Sequence, residues 1–325
     1  MITTHLDVHL TPDDLRATLI ADARQGLSAT PKTLPAKYFY DARGSELFEE
    51  ITGLPEYYPT RTEERILTRY ADAVVAEAGR PETLVELGSG SSTKTRLLLD
   101  ALAAAGRLRR YVPVDVSASA LDGAIGALAR DYPALELHGV VADFEAHLDR
   151  LPSSDGRLVA FLGSTIGNLD PVERSRFFRA LGAELDAGDA FLLGVDLVKA
   201  EHRLVAAYDD AAGVTAEFNR NVLRVLNASL GADFRPERFD HVARWNAEAE
   251  WMEMALRARD SMTVTLPDLD LRIAFAAGEE IRTEISAKFR RPGLTAELAA
   301  AGFSLTSWWT DPADDFALAL SVPDL

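Results

Sequence analysis

The sequence predicts an α/β protein built on a doubly wound parallel sheet, with a second, mixed lobe inserted late in the chain. Three observations predict it. Apolar runs at Leu84–Leu87, Tyr111–Ser117, Glu136–Val141, Arg157–Leu162 and Ala190–Val198 alternate with helical stretches, the pattern of parallel strands joined by crossover helices. The first run ends in a glycine turn, Gly88-Ser89-Gly90. After His241 the apolar period shortens to two, so a different architecture begins there.

Composition narrows the class of molecule. A chain of 325 residues that is 47% hydrophobic is long enough for a large core and two lobes. The formal net charge of −17 argues against nucleic acid and anionic membranes, which demand an excess of Lys and Arg. With no cysteine, disulfides, thiolate metal sites and Cys nucleophiles are excluded, and no metal site is expected. Met1-Ile2-Thr3-Thr4-His5-Leu6-Asp7 lacks the basic-then-apolar plan of a signal peptide, and no apolar run approaches the ~20 residues of a membrane span. The expectation is a cytoplasmic, monomeric enzyme or binding protein.

Each element follows in order. Thr11-Pro12-Asp13-Asp14 predicts a helix start, with Thr11 as N-cap and Asp14 at N3, running to Gly26. The next stretch, from Leu34 to Glu63, is rich in tyrosine and proline and suits a pocket wall or a packed arm. Thr62-Glu63-Glu64-Arg65 opens a helix to Gly79. Beyond the glycine turn, Ser91, Ser92 and Thr93 are candidate caps for a helix over 93–105. Further helices start near Ser119 and at Pro171-Val172-Glu173, and residues 199–230 read as helical. Met252, Met254 and Leu256 alternate with Trp251, Glu253 and Arg257, and Leu269, Leu271, Ile273 and Phe275 alternate likewise, as in half-buried strands. Gly278–Phe289 reads as a polar closing segment of this insert. A helix over 294–301 and strands over 303–310 and 316–322 end the chain.

The glycine turn is the first candidate site. A P-loop requires Gly-Lys-Ser/Thr at a fixed spacing that is missing here, and a dinucleotide turn requires a third glycine where Thr93 stands. A non-phosphorylated adenosine ligand fits better. Glu86, Gly88 and Gly90 would meet its amino-acid end, Asp115 at the tip of the second strand the ribose hydroxyls, and Asp143-Phe144 after the third strand the adenine. That ordered set points to S-adenosylmethionine (SAM). The closing pair of C-terminal strands matches the seven-stranded Rossmann-like sheet of class I SAM-dependent methyltransferases. Asn168, after the fourth strand, offers a side chain that both donates and accepts.

Longer motifs add a resemblance. Leu54-Pro55-Glu56-Tyr57-Tyr58-Pro59-Thr60-Arg61-Thr62-Glu63, Glu86-Leu87-Gly88-Ser89-Gly90, Gly163-Ser164-Thr165-Ile166-Gly167-Asn168 and the run from Tyr208 to Asn219 resemble the histidine-specific Nα-methyltransferases of ergothioneine biosynthesis, along essentially the whole chain. The resemblance implies trimethylation of the α-amino group of L-histidine to hercynine, with S-adenosylhomocysteine as by-product. It implies histidine contacts from Tyr57, Asn168, Tyr208 and Glu284–Ser286, with Tyr57 and Asn168 closest to the chemistry. It implies cofactor contacts from Gly88, Lys94, Asp115 and Asp143-Phe144. Met254 would line the side-chain pocket, and Tyr40 or Tyr57 would face the methylated ammonium. It also implies a SAM-binding domain over 63–198 and 288–325, and a substrate lobe over 1–62 and 199–287. An N-methyltransferase of another amino acid such as tryptophan, or a non-catalytic SAM-binding protein, is the alternative.

Overall fold

The computed structural model describes residues 4–79, 81–90, 92–152 and 156–324. In chain order its strands and helices are β1 (Thr4–Val8), α1 (Pro12–Ser28), β2 (Lys32–Thr33), α2 (Ala42–Thr52), α3 (Pro59–Glu77), β3 (Thr83–Leu87), α4 (Arg96–Ala104), β4 (Arg110–Asp115), α5 (Ala118–Asp131), β5 (Glu136–Val141), β6 (Arg157–Phe161), α6 (Pro171–Glu184) and β7 (Ala190–Asp196). They continue with α7 (Glu201–Tyr208), α8 (Val214–Leu230), β8 (Phe239–Asn246), β9 (Trp251–Ala258), β10 (Met262–Leu266), β11 (Leu271–Phe275), β12 (Glu280–Ala287), α9 (Arg291–Ala299), β13 (Phe303–Thr310) and β14 (Phe316–Pro323).

The chain divides into two compact units, one of residues 1–10, 59–198 and 289–325, the other of 11–58 and 199–288. The first holds an eight-stranded sheet in the order β1-β5-β4-β3-β6-β7-β14-β13. Strands β3 to β7 pair in parallel, and β14 joins β7 antiparallel. Without β1 this is the order of the class I methyltransferase sheet. Its central strands are apolar because helices cover both faces: β3, β6 and β7 are buried along their whole length. The sequence places residues 1–62 together in the substrate lobe. Instead β1 pairs in parallel with β5, from Thr4 opposite Leu137 to Val8 opposite Val141, and so belongs to the first unit.

Several helix starts follow the sequence, and others do not. Thr11 caps α1 and Asp170 caps α6, each in a reciprocal capping box ahead of a proline. Helix α3 begins at Pro59, three residues before the expected Thr62, because proline is accommodated in the first helical turn. This puts Thr62 and Glu63 inside the helix, both fully buried. Helix α4 starts at Arg96 with Thr95 before it, so Ser92 and Thr93 do not cap it; Ser91 lies outside the described residues.

The second unit is built on a four-stranded sheet, β2-β12-β9-β8, with a separate β10-β11 hairpin. The segment expected to be a polar closing stretch is strand β12, paired with β9 on one side and β2 on the other. A one-residue bulge at Thr283 shifts the register, so that Arg282 faces Ala255 while Glu284 faces Met254. Directly opposed residues share a sheet face. The bulge therefore puts Ile281, Glu284 and Ser286 on one side, with Leu256, Met254 and Met252 opposite them. The opposite face carries the ion pairs of Arg244 with Glu253 and of Arg244 and Arg257 with Glu280.

Candidate active site

In the first unit, the residues proposed for the cofactor gather at the carboxyl ends of adjacent strands. The turn after β3 has Gly88 and Gly90 at φ of 64° and 49°, a backbone region that glycine enters without strain. The Gly90 amide donates to Asp115 Oδ2 at 3.0 Å, and the Ser117 amide donates to Asp115 Oδ1 at 2.9 Å. The carboxylate of Asp115 is thus fixed at the tip of β4 with lone pairs to spare. Burial pushes its pKa up, against these amide contacts. One strand over, Asp143 Oδ1 accepts the Glu145 amide at 2.9 Å. Phe144 packs on Phe161 of β6 with ring centroids 4.9 Å apart. A methyl group built on Gly88 would touch both rings, so the glycine turn and the aromatic pair are neighbours.

Beneath the turn, Glu86 accepts hydrogen bonds from Thr95 Oγ1 at 2.5 Å and from the Tyr111 hydroxyl. Burial drives its carboxyl up to about 7. Both oxygens are engaged inside the protein, so Glu86 shapes the turn from below. The neighbouring Ser89 hydroxyl is buried with no hydrogen-bond partner among the described residues. Such a hydroxyl, beside two turn glycines and a fixed carboxylate, leaves a hydrogen-bonding group for a polar ligand such as SAM.

The sequence missed one residue of this unit. Glu63, fully buried in α3, pairs with Lys94, and its Oε1 accepts the Gly163 amide at 2.8 Å. Any side chain at Gly194 would collide with it, since a Cβ there lies 2.1 Å from Glu63 Oε1. Glu63 thereby ties Lys94 to the loop after β6. In that loop Gly163 and Ser164 both take left-handed φ values, 76° and 59°, before the short turn Thr165–Asn168. Ser164 Oγ accepts the Asp196 amide at 2.9 Å, which holds the loop in place and places Asn168 just beyond it. The sequence places Glu63 at a helix start and at the end of the Leu54–Glu63 run, and neither signal marks it as a partner of Lys94.

In the second unit, the bulge of β12 aligns Glu284 and Ser286 with Met254 on β9. Tyr208, the last residue of α7, donates to Ser286 Oγ at 2.8 Å. Lys288 Nζ donates to the Tyr208 hydroxyl at 2.9 Å and to Ser286 Oγ at 2.8 Å, and lies 4.8 Å from the Tyr208 ring centroid. Lys288 is 3% exposed, and the sequence alone assigns it no role. Glu284 keeps some exposed surface yet sits deep among protein atoms. That desolvation pushes its carboxyl up to about 7, opposed by Lys288. Tyr40 and Tyr57 both pack on Phe48, with ring centroids 5.5 and 6.1 Å away. Among the described residues no cluster of three or more His, Asp or Glu side chains could hold a metal ion, and no helix is long and apolar enough to cross a membrane.

A family model described as histidine-specific methyltransferase, SAM-dependent, matches residues 19–323. The chain belongs to that family. It is a SAM-dependent methyltransferase, with SAM as its cofactor. It is 54% identical over 321 residues to a histidine N-alpha-methyltransferase of Mycolicibacterium smegmatis, covering 99% of this chain and 100% of that protein. It is 55% identical to the histidine N-alpha-methyltransferase of Mycobacterium tuberculosis, covering 97% and 98% of the two chains. Ergothioneine biosynthesis protein 1 of Neurospora crassa is 30% identical over 286 residues, 86% of this chain and 32% of that much longer one.

Proposed function

We propose that the protein methylates the α-amino group of L-histidine three times to give hercynine, an early step of ergothioneine biosynthesis. The observation that carries this reading is the full-length likeness to two histidine N-alpha-methyltransferases, at 54% and 55% identity. It extends to a monomer working in the cytoplasm.

The first unit holds the cofactor. Asp115 takes the ribose hydroxyls with the lone pairs left over from Gly90 and Ser117. Asp143 and Phe144 take the adenine, Lys94 the carboxylate, and Gly88, Gly90 and Ser89 the amino-acid end. When bound, SAM supplies a sulfonium methyl, and the nitrogen–carbon bond forms as the carbon–sulfur bond breaks with its electron pair going to sulfur. Methyl transfer needs the amine lone pair aligned, so the protein's contribution is positioning. Asn168 of the first unit and Tyr57 of the second are the residues that the family likeness assigns to the amine, which loses one proton at each transfer. A Tyr57 or Tyr40 ring facing the growing cation favours it by roughly 0.5–2 kcal/mol.

The second unit chooses the amino acid. Glu284 and Ser286 bind the two imidazole nitrogens, Tyr208 supports Ser286, and Met254 forms the wall. A polar pair of this kind fits imidazole better than indole, which has one N–H and no ring acceptor. Mass spectrometry of histidine incubated with the protein and SAM tests the reading. A product with three added methyl groups is expected, and Glu284→Gln should weaken histidine binding by about tenfold or more. Unmodified histidine after prolonged incubation would rule the reading out.

A further inference from the structure

Around Ser286 the hydrogen-bond arithmetic is closed on one side. A serine hydroxyl has one donor and two acceptor lone pairs. Both lone pairs of Ser286 are taken inside the protein, one by Lys288 Nζ at 2.8 Å and one by the Tyr208 hydroxyl at 2.8 Å. The ammonium of Lys288 has three donor hydrogens and no acceptor, so it cannot take a proton back from Ser286. With Lys288 also donating to Tyr208 at 2.9 Å, the tyrosine hydrogen is directed onto Ser286. What remains for a ligand is the Ser286 hydrogen. Two positions back on the same face of β12 stands Glu284, which as a carboxylate only accepts. Successive same-face residues of a strand lie about 6.6 Å apart, a spacing that brackets a five-membered ring.

We propose that Lys288 is a specificity-determining positioning residue, which forces Ser286 to act as a donor and so gives the pocket one donor and one acceptor, the pattern of a neutral imidazole. This deepens the reading of Glu284 and Ser286 as the imidazole contacts and rests on it. Without Lys288 one lone pair of Ser286 is released. The hydroxyl can then turn and accept, and the pocket also admits rings that only donate.

Ring analogues of histidine read this pattern directly. Pyrrolylalanine keeps an N–H but lacks the ring acceptor, and thiazolylalanine keeps the acceptor but lacks the N–H; the 2- and 3-pyrrolyl and the 4- and 5-thiazolyl isomers are titrated calorimetrically, with S-adenosylhomocysteine present. The native protein is expected to prefer histidine to pyrrolylalanine by at least about a hundredfold. In Lys288→Met this preference should fall below about tenfold, while the preference over thiazolylalanine, which reports on Glu284, stays within about twofold. Lys288→Arg keeps the donors and should keep both preferences. Ser286→Ala, which deletes only the hydroxyl, should lose the first preference and retain the second, so the proposal stands testable even if Lys288→Met folds poorly. Both preferences surviving in Lys288→Met, or both shrinking together as in a loosened pocket, overturns the proposal, as does a Ser286→Ala protein that still rejects pyrrolylalanine. Failure of the native protein to bind histidine overturns the pocket reading and this inference with it.

Discussion

Glu86 shows how a residue at a ligand site can be committed to the protein itself. Its carboxyl is held between Thr95 and Tyr111, and burial raises its folded-state pKa to about 7. The unfolded value is about 4.3. A folded pKa above the unfolded one means the folded protein binds the extra proton, so this stabilisation is present below about pH 4.3 and is lost as pH rises through about 7. Glu284 is shifted in the same direction to about 7 and titrates in the same window. Glu86→Gln should therefore shrink the loss of stability between pH 5 and 8 by about 2 kcal/mol, leaving the Glu284 part in place. Urea unfolding at the two pH values measures it; an unchanged slope would show that Glu86 is ionised throughout. At this scale the sequence reveals the identity of Glu86, Asp115 and Asp143 but not their commitments. Whether an acid faces a ligand or a neighbouring tyrosine depends on a partner such as Tyr111, distant in the chain and unmarked by any local pattern.

Among the elements, α2 depends on a glycine for a reason that has nothing to do with turns. A Cβ on Gly44 would lie 1.6 Å from the Phe39 carbonyl oxygen. Gly44 also donates its amide to Asp41 Oδ1 at 2.7 Å, and Asn221 of α8 donates to the same oxygen at 2.7 Å. One aspartate thus caps α2 and fastens it to α8. Gly44→Ala must push the first turn of α2 away from Phe39, and a loss of about 3 kcal/mol or more is expected from overpacking together with disruption of the cap. Chemical denaturation of the variant checks this; a loss under about 1 kcal/mol would mean the segment has room to shift. The parallel strands were legible because burial on both sides makes them uniformly apolar. Strand β12 was not, because its bulge changes which residues face inward: Ile281 and Ile285 are two alternation steps apart in sequence, yet Ile281 shares its face with Glu284 and Ser286. A period-two reading assigns those two polar residues to the wrong side, and only the pairing with β9 corrects it.

For the molecule as a whole, an excess of 51 acidic over 34 basic residues leaves a formal charge of −17. Self-repulsion of that charge opposes compaction and is weakened when salt shortens the screening length. Raising NaCl from about 10 to about 150 mM at pH 7 should therefore raise the melting temperature by about 2 °C. Scanning calorimetry reads the change, and a flat or falling Tm would mean that exposed ion pairs such as Arg43–Glu46, weakened by the same salt, outweigh the net charge.

The sheet order also has a consequence for how the chain is made. Strand β14 lies between β7 and β13, yet among the described strands it is synthesised after both. From the time Ala190–Asp196 leaves the ribosome until Phe316–Pro323 follows, β7 has no neighbour on one side. It is then an open, apolar edge whose amides and carbonyls can pair with any other nascent strand. More than a hundred residues, including all of α7 to β12, are translated in that interval. At the ordinary pace of about 5–20 residues per second the exposure lasts several seconds. Yield in a heterologous host should thus be governed less by the stability of the finished protein than by what shields β7 during those seconds.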